Sequence, residues 1–192
     1  MTELEQYLTK HFHIHRDDLA QVAAKFQFQE IPKDGFYLQA GAVCDKLSFV
    51  RSGLLRIFVQ RERKSITQWI TTPSYFITEL SSFVFDQPSR WNIQALTDCE
   101  LYTISKRDYE SLGREIPAWK DLDRLFIARC FVTLEDRVFS FLSMTAEERY
   151  QMLFAQHPEW FNTLPLQYLA SMLGMTPETL SRLRKKHASE TS

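Results

Sequence analysis

Between residues 25 and 104 apolar and polar positions alternate in short bursts, each cut off by turn residues. FQFQEI alternates and stops at PKDG, FYLQ stops at AG, and CDKLSFVRSGLLRIFVQ carries two bursts around Ser52 and Gly53. ITQWI, the run around FITELSSFVF, WNIQAL and ELYTI continue the pattern. A period of two bounded by Gly, Pro and Asp predicts strands, and many short strands with no long helix between them predict an antiparallel roll or barrel. The Phe, Trp and Tyr residues concentrated here are expected in its core. Arg61, Arg63 and Lys64, broken by Glu62, read as a solvated hairpin tip.

On both sides of this region the period lengthens. Residues 1–24 place Leu4, Tyr7 and Leu8, then Leu19, Val22 and Ala23, at helical spacing. Ser105 to Asp108 starts a helix, and the longest periodic segment runs from about Arg114 to Ser143. Leu122, Phe126, Cys130, Leu134, Val138 and Leu142 step by four there, with Ile127 and Phe131 widening the stripe. A helix of about 30 residues is roughly 45 Å long, more than a small roll can cover, so a two-helix dimer seam through Leu122, Phe126, Cys130 and Leu134 is predicted, with burial against the chain's own N-terminal helices and roll as the alternative. Thr145 and Glu148 have capping-box spacing, Tyr150, Leu153 and Phe154 supply an inner face, and Pro158 ends or kinks that helix. Glu147 and Glu148 are expected to sit away from phosphate.

The last pattern spans residues 163–187, TLPLQYLASMLGMTPETLSRLRKKH. Leu166, Leu169, Ala170 and Leu173 recur helically, Gly174 interrupts them, and Thr176-Pro177-Glu178 restarts a helix that turns Leu180 and Leu183 inward. Two short helices joined by a tight turn predict a helix-turn-helix, whose second helix enters the major groove by its N-terminal residues. Glu178 and Glu190 are the only acids among the last fifteen residues, facing Arg182, Arg184, Lys185 and Lys186.

Composition narrows the function. The 192-residue chain is 44% hydrophobic with a net charge of -1, enough for one sizeable core and a small second domain, so any nucleic-acid contact must come from a local patch. No apolar stretch is long enough to span a membrane and no signal peptide is visible at MTELEQYLTKHFHIH, so a cytoplasmic protein is expected. Cys44, Cys99 and Cys130 are dispersed and odd in number, as expected of reduced thiols. His11, His13 and His15 alternate, but a structural metal needs about four ligands and no Cys or carboxylate partner lies nearby, so neither metal nor cofactor is predicted. There is no glycine-rich phosphate loop, nucleophile elbow or H-E-x-x-H. A cupin-like oxygenase would need paired histidines on inward strands, and between Asp17 and Pro158 only His157 occurs. No catalytic residue is assigned.

GMTPETLSRLRKK resembles the recognition helix of the Crp/Fnr transcription regulators, which carry a small hydroxylated cap, a Glu two positions on and an Arg four beyond that. Here these are Thr176, Glu178 and Arg182, with Thr179 beside the Glu. KDGFYLQAGAVCDKLSFVRSGLLRIF resembles the first half of that family's cyclic-nucleotide-binding β-roll, its signature glycines and strand pair falling on Gly41, Phe49, Val50, Gly53 and Arg56. In ending at Ser192 the chain departs from members with a β-hairpin wing, and it lacks the N-terminal cysteine cluster of the iron–sulfur sensors. The phosphate-binding cassette also departs. In FITELSSF, Glu79 keeps the glutamate position but Thr78 replaces the glycine, and the binders' Arg-Ser pair appears as Ser89-Arg90 in reversed order, with Trp91 crowding the purine space. Glu79, Ser89 and Arg90 are therefore candidate ligand residues, with a cap or an ion pair to Arg90 as the structural alternative for Glu79.

The resulting expectation is an α+β chain: an antiparallel double-stranded β-helix (jelly-roll-like) domain with N-terminal helices at 1–112, a long dimerisation helix at 113–143, and a helix-turn-helix domain at 144–192. Its expected partners are double-stranded DNA, touched by Thr176, Pro177, Glu178, Thr179, Arg182, Arg184, Lys185 and Lys186, and a second copy of the chain. The roll leaves room for a small-molecule effector other than cyclic AMP. The alternative is a non-catalytic small-ligand sensor or interaction protein whose helix-turn-helix does not read sequence.

Overall fold

The computed structural model describes residues 2–12, 14, 16–62, 64–117 and 119–190. It divides into two compact units, residues 1–59 with 70–128 and residues 60–69 with 129–192.

Among the described residues, α1 (Glu3–Phe12) and α2 (Arg16–Ala24) precede eight short strands, of which the tip of the fourth and fifth, at residues 60–69, falls in the second unit and the rest in the first. These are β1 (Gln27–Ile31), β2 (Phe36–Leu38), β3 (Lys46–Ser52), β4 (Leu55–Arg61), β5 (Lys64–Thr71), β6 (Phe76–Ile77), β7 (Asn92–Ala95) and β8 (Cys99–Ser105), with α3 (Leu80–Phe85) after β6 and α4 (Lys106–Glu115) after β8. They form two four-stranded sheets, β1-β8-β3-β6 and β2-β7-β4-β5. The antiparallel roll expected from the alternation is present, with Ser48 opposite Thr103 and Ile57 opposite Ile93.

The strand β3 reads LSFV without alternation because both of its faces are covered. Leu47 and Phe49 pack outward with Leu8, Val22, Phe83, Ile104 and Leu112 against the helices, while Val50 points between the sheets with Leu55, Ile93 and Leu101. Phe49 is 1% exposed, a burial worth about 1.5–3 kcal/mol. Ser48 is tolerated inside because its hydroxyl donates to Tyr37 Oη at 3.1 Å and lies 2.8 Å from Thr103 Oγ1. At Gly53 the backbone has φ of +89°, and a Cβ would lie 2.4 Å from the Asp98 carbonyl, so the corner needs glycine.

Two helices differ from the pattern. FITELSSFVF holds only a two-residue strand before α3, because Glu79 turns the chain by capping that helix. The long helix α5 (Trp119–Ser143) has 25 residues and starts later than expected. Ile116 is extended (φ -120°, ψ 107°) ahead of Pro117, whose ring disfavours helical geometry in the residue before it.

The stripe on α5 also divides. Phe126 faces inward, its ring 5.9 Å from Phe76 in an edge contact, within the same core as Trp119. Phe131, Leu134, Val138 and Leu142 are 65%, 50%, 52% and 81% exposed. Steps of four advance about 40° per step around a helix of 3.6 residues per turn, so Phe126 and Leu142 end up on nearly opposite sides. Of the expected seam residues, Phe126 is half-buried and packs against the core of its own chain, while Leu134 is exposed. Cys130 is exposed, and the side chain of Leu122 lies outside the described residues.

Candidate nucleic-acid interface

The second unit builds its helices around a small aromatic core. After Ser143 come α6 (Ala146–Gln156), α7 (Trp160–Thr163), α8 (Leu166–Met172) and α9 (Pro177–Glu190). The α6 start is the expected capping box, Glu148 N donating to Thr145 Oγ1 and Thr145 N to Glu148 Oε2. Backbone and side-chain donors of Thr145 hold the Glu148 carboxyl below its usual range. Tyr150, Leu153, Trp160, Phe161, Leu169, Leu180 and Leu183 are buried, and His187 lies 4.7 Å from the Phe154 ring.

The turn between α8 and α9 is closed by two reversed hydrogen bonds. Gly174 N donates to Ser171 O at 3.1 Å and Met175 N to Ala170 O at 3.0 Å, the pairing of a Schellman motif with Gly174 in the left-handed position, φ +66°. A Cβ there would lie 2.5 Å from Phe141 Cε1. Gly174→Ala should therefore destabilise this unit by about 1–2 kcal/mol, lowering its thermal transition by roughly 5–15 °C. Differential scanning calorimetry of the full chain checks this, and an unshifted transition would show the turn to be more adaptable than its packing implies.

Thr176 caps α9 as expected, accepting from Thr179 N at 3.2 Å. Glu178 in the first turn has its carboxyl held below the usual range by its own backbone N–H and the Thr176 hydroxyl. With Leu180 and Leu183 turned inward, Pro177, Glu178, Ser181, Arg182 and Lys185 share the opposite face and line one shallow open concavity. The eight candidate DNA residues thus separate by position. Pro177, Glu178, Arg182 and Lys185 come together on the open face. Thr176 and Thr179 form the cap, their hydroxyls 3.3 Å apart. Lys186 is drawn to α6, its ammonium 2.5 Å from Glu147 Oε1, and Arg184 is half-buried on the side of Tyr150. Sequence reasoning missed Ser181, although its place three residues beyond Glu178 puts it on that face.

In the first unit the cassette is closed on itself. Ser82 N donates to Glu79 Oε2 at 2.8 Å, Cys44 N donates to Ser82 Oγ at 2.8 Å, and that hydroxyl donates to Gln87 O at 2.5 Å. Ser89 is buried, accepting from Trp91 N at 3.0 Å and donating to Trp91 O at 3.1 Å. Arg90 is exposed, its guanidinium 5.0 Å from the Trp91 ring centroid. Of the two structural alternatives for Glu79, the cap is the one formed. His13 and His15 lie outside the described residues, as does the side chain of His11. Among the described residues no cluster of His, Cys, Asp and Glu is arranged to hold a metal, and no helix is long and apolar enough to cross a membrane.

Residues 28–115 match the cyclic nucleotide-binding domain family. No curated protein is significantly similar to the chain. Among solved structures, the c-di-GMP responsive global regulator CLP of Xanthomonas campestris superposes with a TM-score of 0.70 at 15% identity, over 92% of this chain and 93% of that one. FixK2 from Bradyrhizobium japonicum gives 0.72 at 15% identity over 86% of both chains. A putative Crp/Fnr-family transcriptional regulator from Eubacterium rectale gives 0.72 at 14% identity, over 96% of this chain and 88% of that one. Residues 28–115 therefore resemble a cyclic nucleotide-binding domain, and the chain shares the fold of these solved regulators.

Proposed function

We propose that this chain is a sequence-specific DNA-binding transcription regulator that works as a homodimer in the cytoplasm and is not gated by cyclic AMP. The observation that carries the reading is the two-sided α9, whose capped N-terminal half leaves Pro177, Glu178, Ser181, Arg182 and Lys185 together on one open face. A helix so presented offers acceptor and donor side chains to base edges from its first turns. The shared fold supports the reading, and so does the exposed apolar row of α5, which suits a second copy of the same helix. The reading assigns no reaction to the chain. Selection of bound duplexes from a random library tests it. Enrichment of a motif with two inverted half-sites is expected, because a two-fold dimer presents two copies of α9. An unenriched pool would overturn the reading in favour of a sensor or interaction protein, for which the small number of cations on the open face is the supporting feature.

The effector side makes its own prediction. The Ser82 amide, the Ser82 hydroxyl and the Ser89 hydroxyl are all engaged within the chain, and Arg90 stands outside over Trp91. A cyclic phosphate would have to break these bonds before making its own. Cyclic AMP should bind no tighter than about millimolar, which is some -4 kcal/mol. Isothermal calorimetry giving a micromolar constant would mean that the cassette reopens and that Arg90 reaches the phosphate.

A further inference from the structure

The turn of the helix-turn-helix is gripped by two arginines that sequence analysis did not single out. Arg137 Nη2 donates to Met172 O at 2.7 Å. Arg149 Nε donates to Leu173 O at 3.0 Å and its Nη1 to Met144 O at 2.7 Å. Met172 and Leu173 close α8, where unpaired carbonyls concentrate negative charge and attract cations. Phe141 stands between the two guanidiniums, 5.1 Å from Arg137 and 4.9 Å from Arg149, and presses its edge against Gly174. The Trp69 ring lies 5.6 Å from the Arg137 guanidinium. Trp69 belongs to the β4–β5 hairpin segment that clusters with this unit, and a second tie joins the same segment to α8. Thr67 N donates to Ser171 Oγ at 2.9 Å, and Ser171 Oγ donates to Ser65 O at 3.1 Å.

None of the described carboxylates forms an ion pair with Arg137 or Arg149. Their compensation is carbonyl oxygen and aromatic face, which a planar guanidinium can use together and an ammonium cannot. Burial also pulls the Arg137 guanidinium below its ordinary value. A cation held at that desolvation cost, with no described carboxylate paired to it, is placed for geometry.

We propose that Arg137 and Arg149, with Phe141 between them, are positioning residues that fix the direction of α9 relative to α5 and to the β4–β5 hairpin; the consequence for operator choice rests on the DNA-binding reading, the geometry does not. The clamp sets where each recognition helix points in a dimer, and so which half-site spacing the pair fits.

Two measurements on the full chain test this. The first needs no DNA: nitroxides at K64C and S189C, in a Cys130→Ser background diluted with unlabelled chain, report the hairpin-to-α9 distance by pulsed electron resonance. The wild type should give one narrow distribution and R137A one roughly twice as broad. R137K keeps the charge should R137A not fold, and it should broaden as well, since an ammonium cannot stack and fork together. A broad wild-type distribution, or wild-type width in R137K, would overturn the clamp. The second measurement varies the spacer between selected half-sites. Wild type should discriminate against a spacer lengthened by two base pairs, and R137K should lose about tenfold of that discrimination, the equivalent of one charge-assisted hydrogen bond. Unchanged discrimination would overturn the positioning role. If the distances behave as stated but no motif is enriched, the DNA-binding reading fails and the clamp stands.

Discussion

Phe131→Glu should turn a dimer into a folded monomer. The exposed row on α5 runs Ile127, Phe131, Leu134 and Val138, a 4-3-4 spacing, and these side chains are 41%, 65%, 50% and 52% exposed. That spacing repeats every seven residues, the interval at which two helices keep one face toward each other. Phe131 is the largest side chain in the row, and burying it fully stabilises by about 1.5–3 kcal/mol. A glutamate at its position removes that gain and brings in a carboxylate that must stay hydrated or find a partner. Two-fold symmetry applies the change twice. A loss of about 3 kcal/mol or more raises the dimer dissociation constant roughly a hundredfold, enough to separate the subunits at micromolar concentration. Sedimentation velocity reads the result directly. Phe126→Glu is the control with the opposite signature: Phe126 packs on Phe76 inside its own subunit, so that variant should lose the folded roll. A wild type that sediments as a monomer, or a Phe131→Glu dimer of unchanged affinity, would remove the seam from α5.

That pair of variants also marks how far the sequence could be read. The strands were legible because alternation and turn residues act locally, and the Thr176 cap and the Thr145–Glu148 box were legible for the same reason. The row on α5 was legible as apolar but not as one face, because steps of four accumulate rotation and carry Phe126 into the core while Leu142 stays 81% exposed. The helix α3 was hidden in FVF, an apolar run that suits a strand equally well until the Glu79 carboxylate takes the Ser82 amide. Arg137 and Arg149 carried no signal at all. The carbonyls through which they hold the turn are 35 and 24 residues away, and no side-chain type announces a carbonyl.

On DNA, Arg182→Ala should relax sequence preference, whereas Lys185→Ala should weaken all DNA alike. Both side chains lie on the open face of α9, at one and nearly two turns beyond Glu178. A recognition helix that enters the groove by its N-terminus brings Pro177, Glu178 and Ser181 to the base edges first, and Arg182 follows within reach. Arg182 can contact a guanine through two parallel donors or orient the Glu178 carboxylate, which can accept from a cytosine amino group. Each such contact is worth about 1–3 kcal/mol of discrimination, so Arg182→Ala should reduce the ratio of operator to scrambled affinity by roughly 5- to 150-fold. Lys185 rises about 12 Å along the axis from Pro177, at the usual 1.5 Å per residue, and from that height it reaches phosphate. Removing a single phosphate contact lowers the salt slope by about 1 and leaves the affinity ratio unchanged. Lys186 provides the internal comparison, since its ammonium is engaged with Glu147 and its loss should cost less than that of Lys185. The measurement is a set of binding isotherms on the selected operator and its scrambled version at several salt concentrations. An Arg182→Ala variant that lowered both affinities equally would place Arg182 among the phosphate contacts. Base reading by α9 would then rest on Glu178 and Ser181.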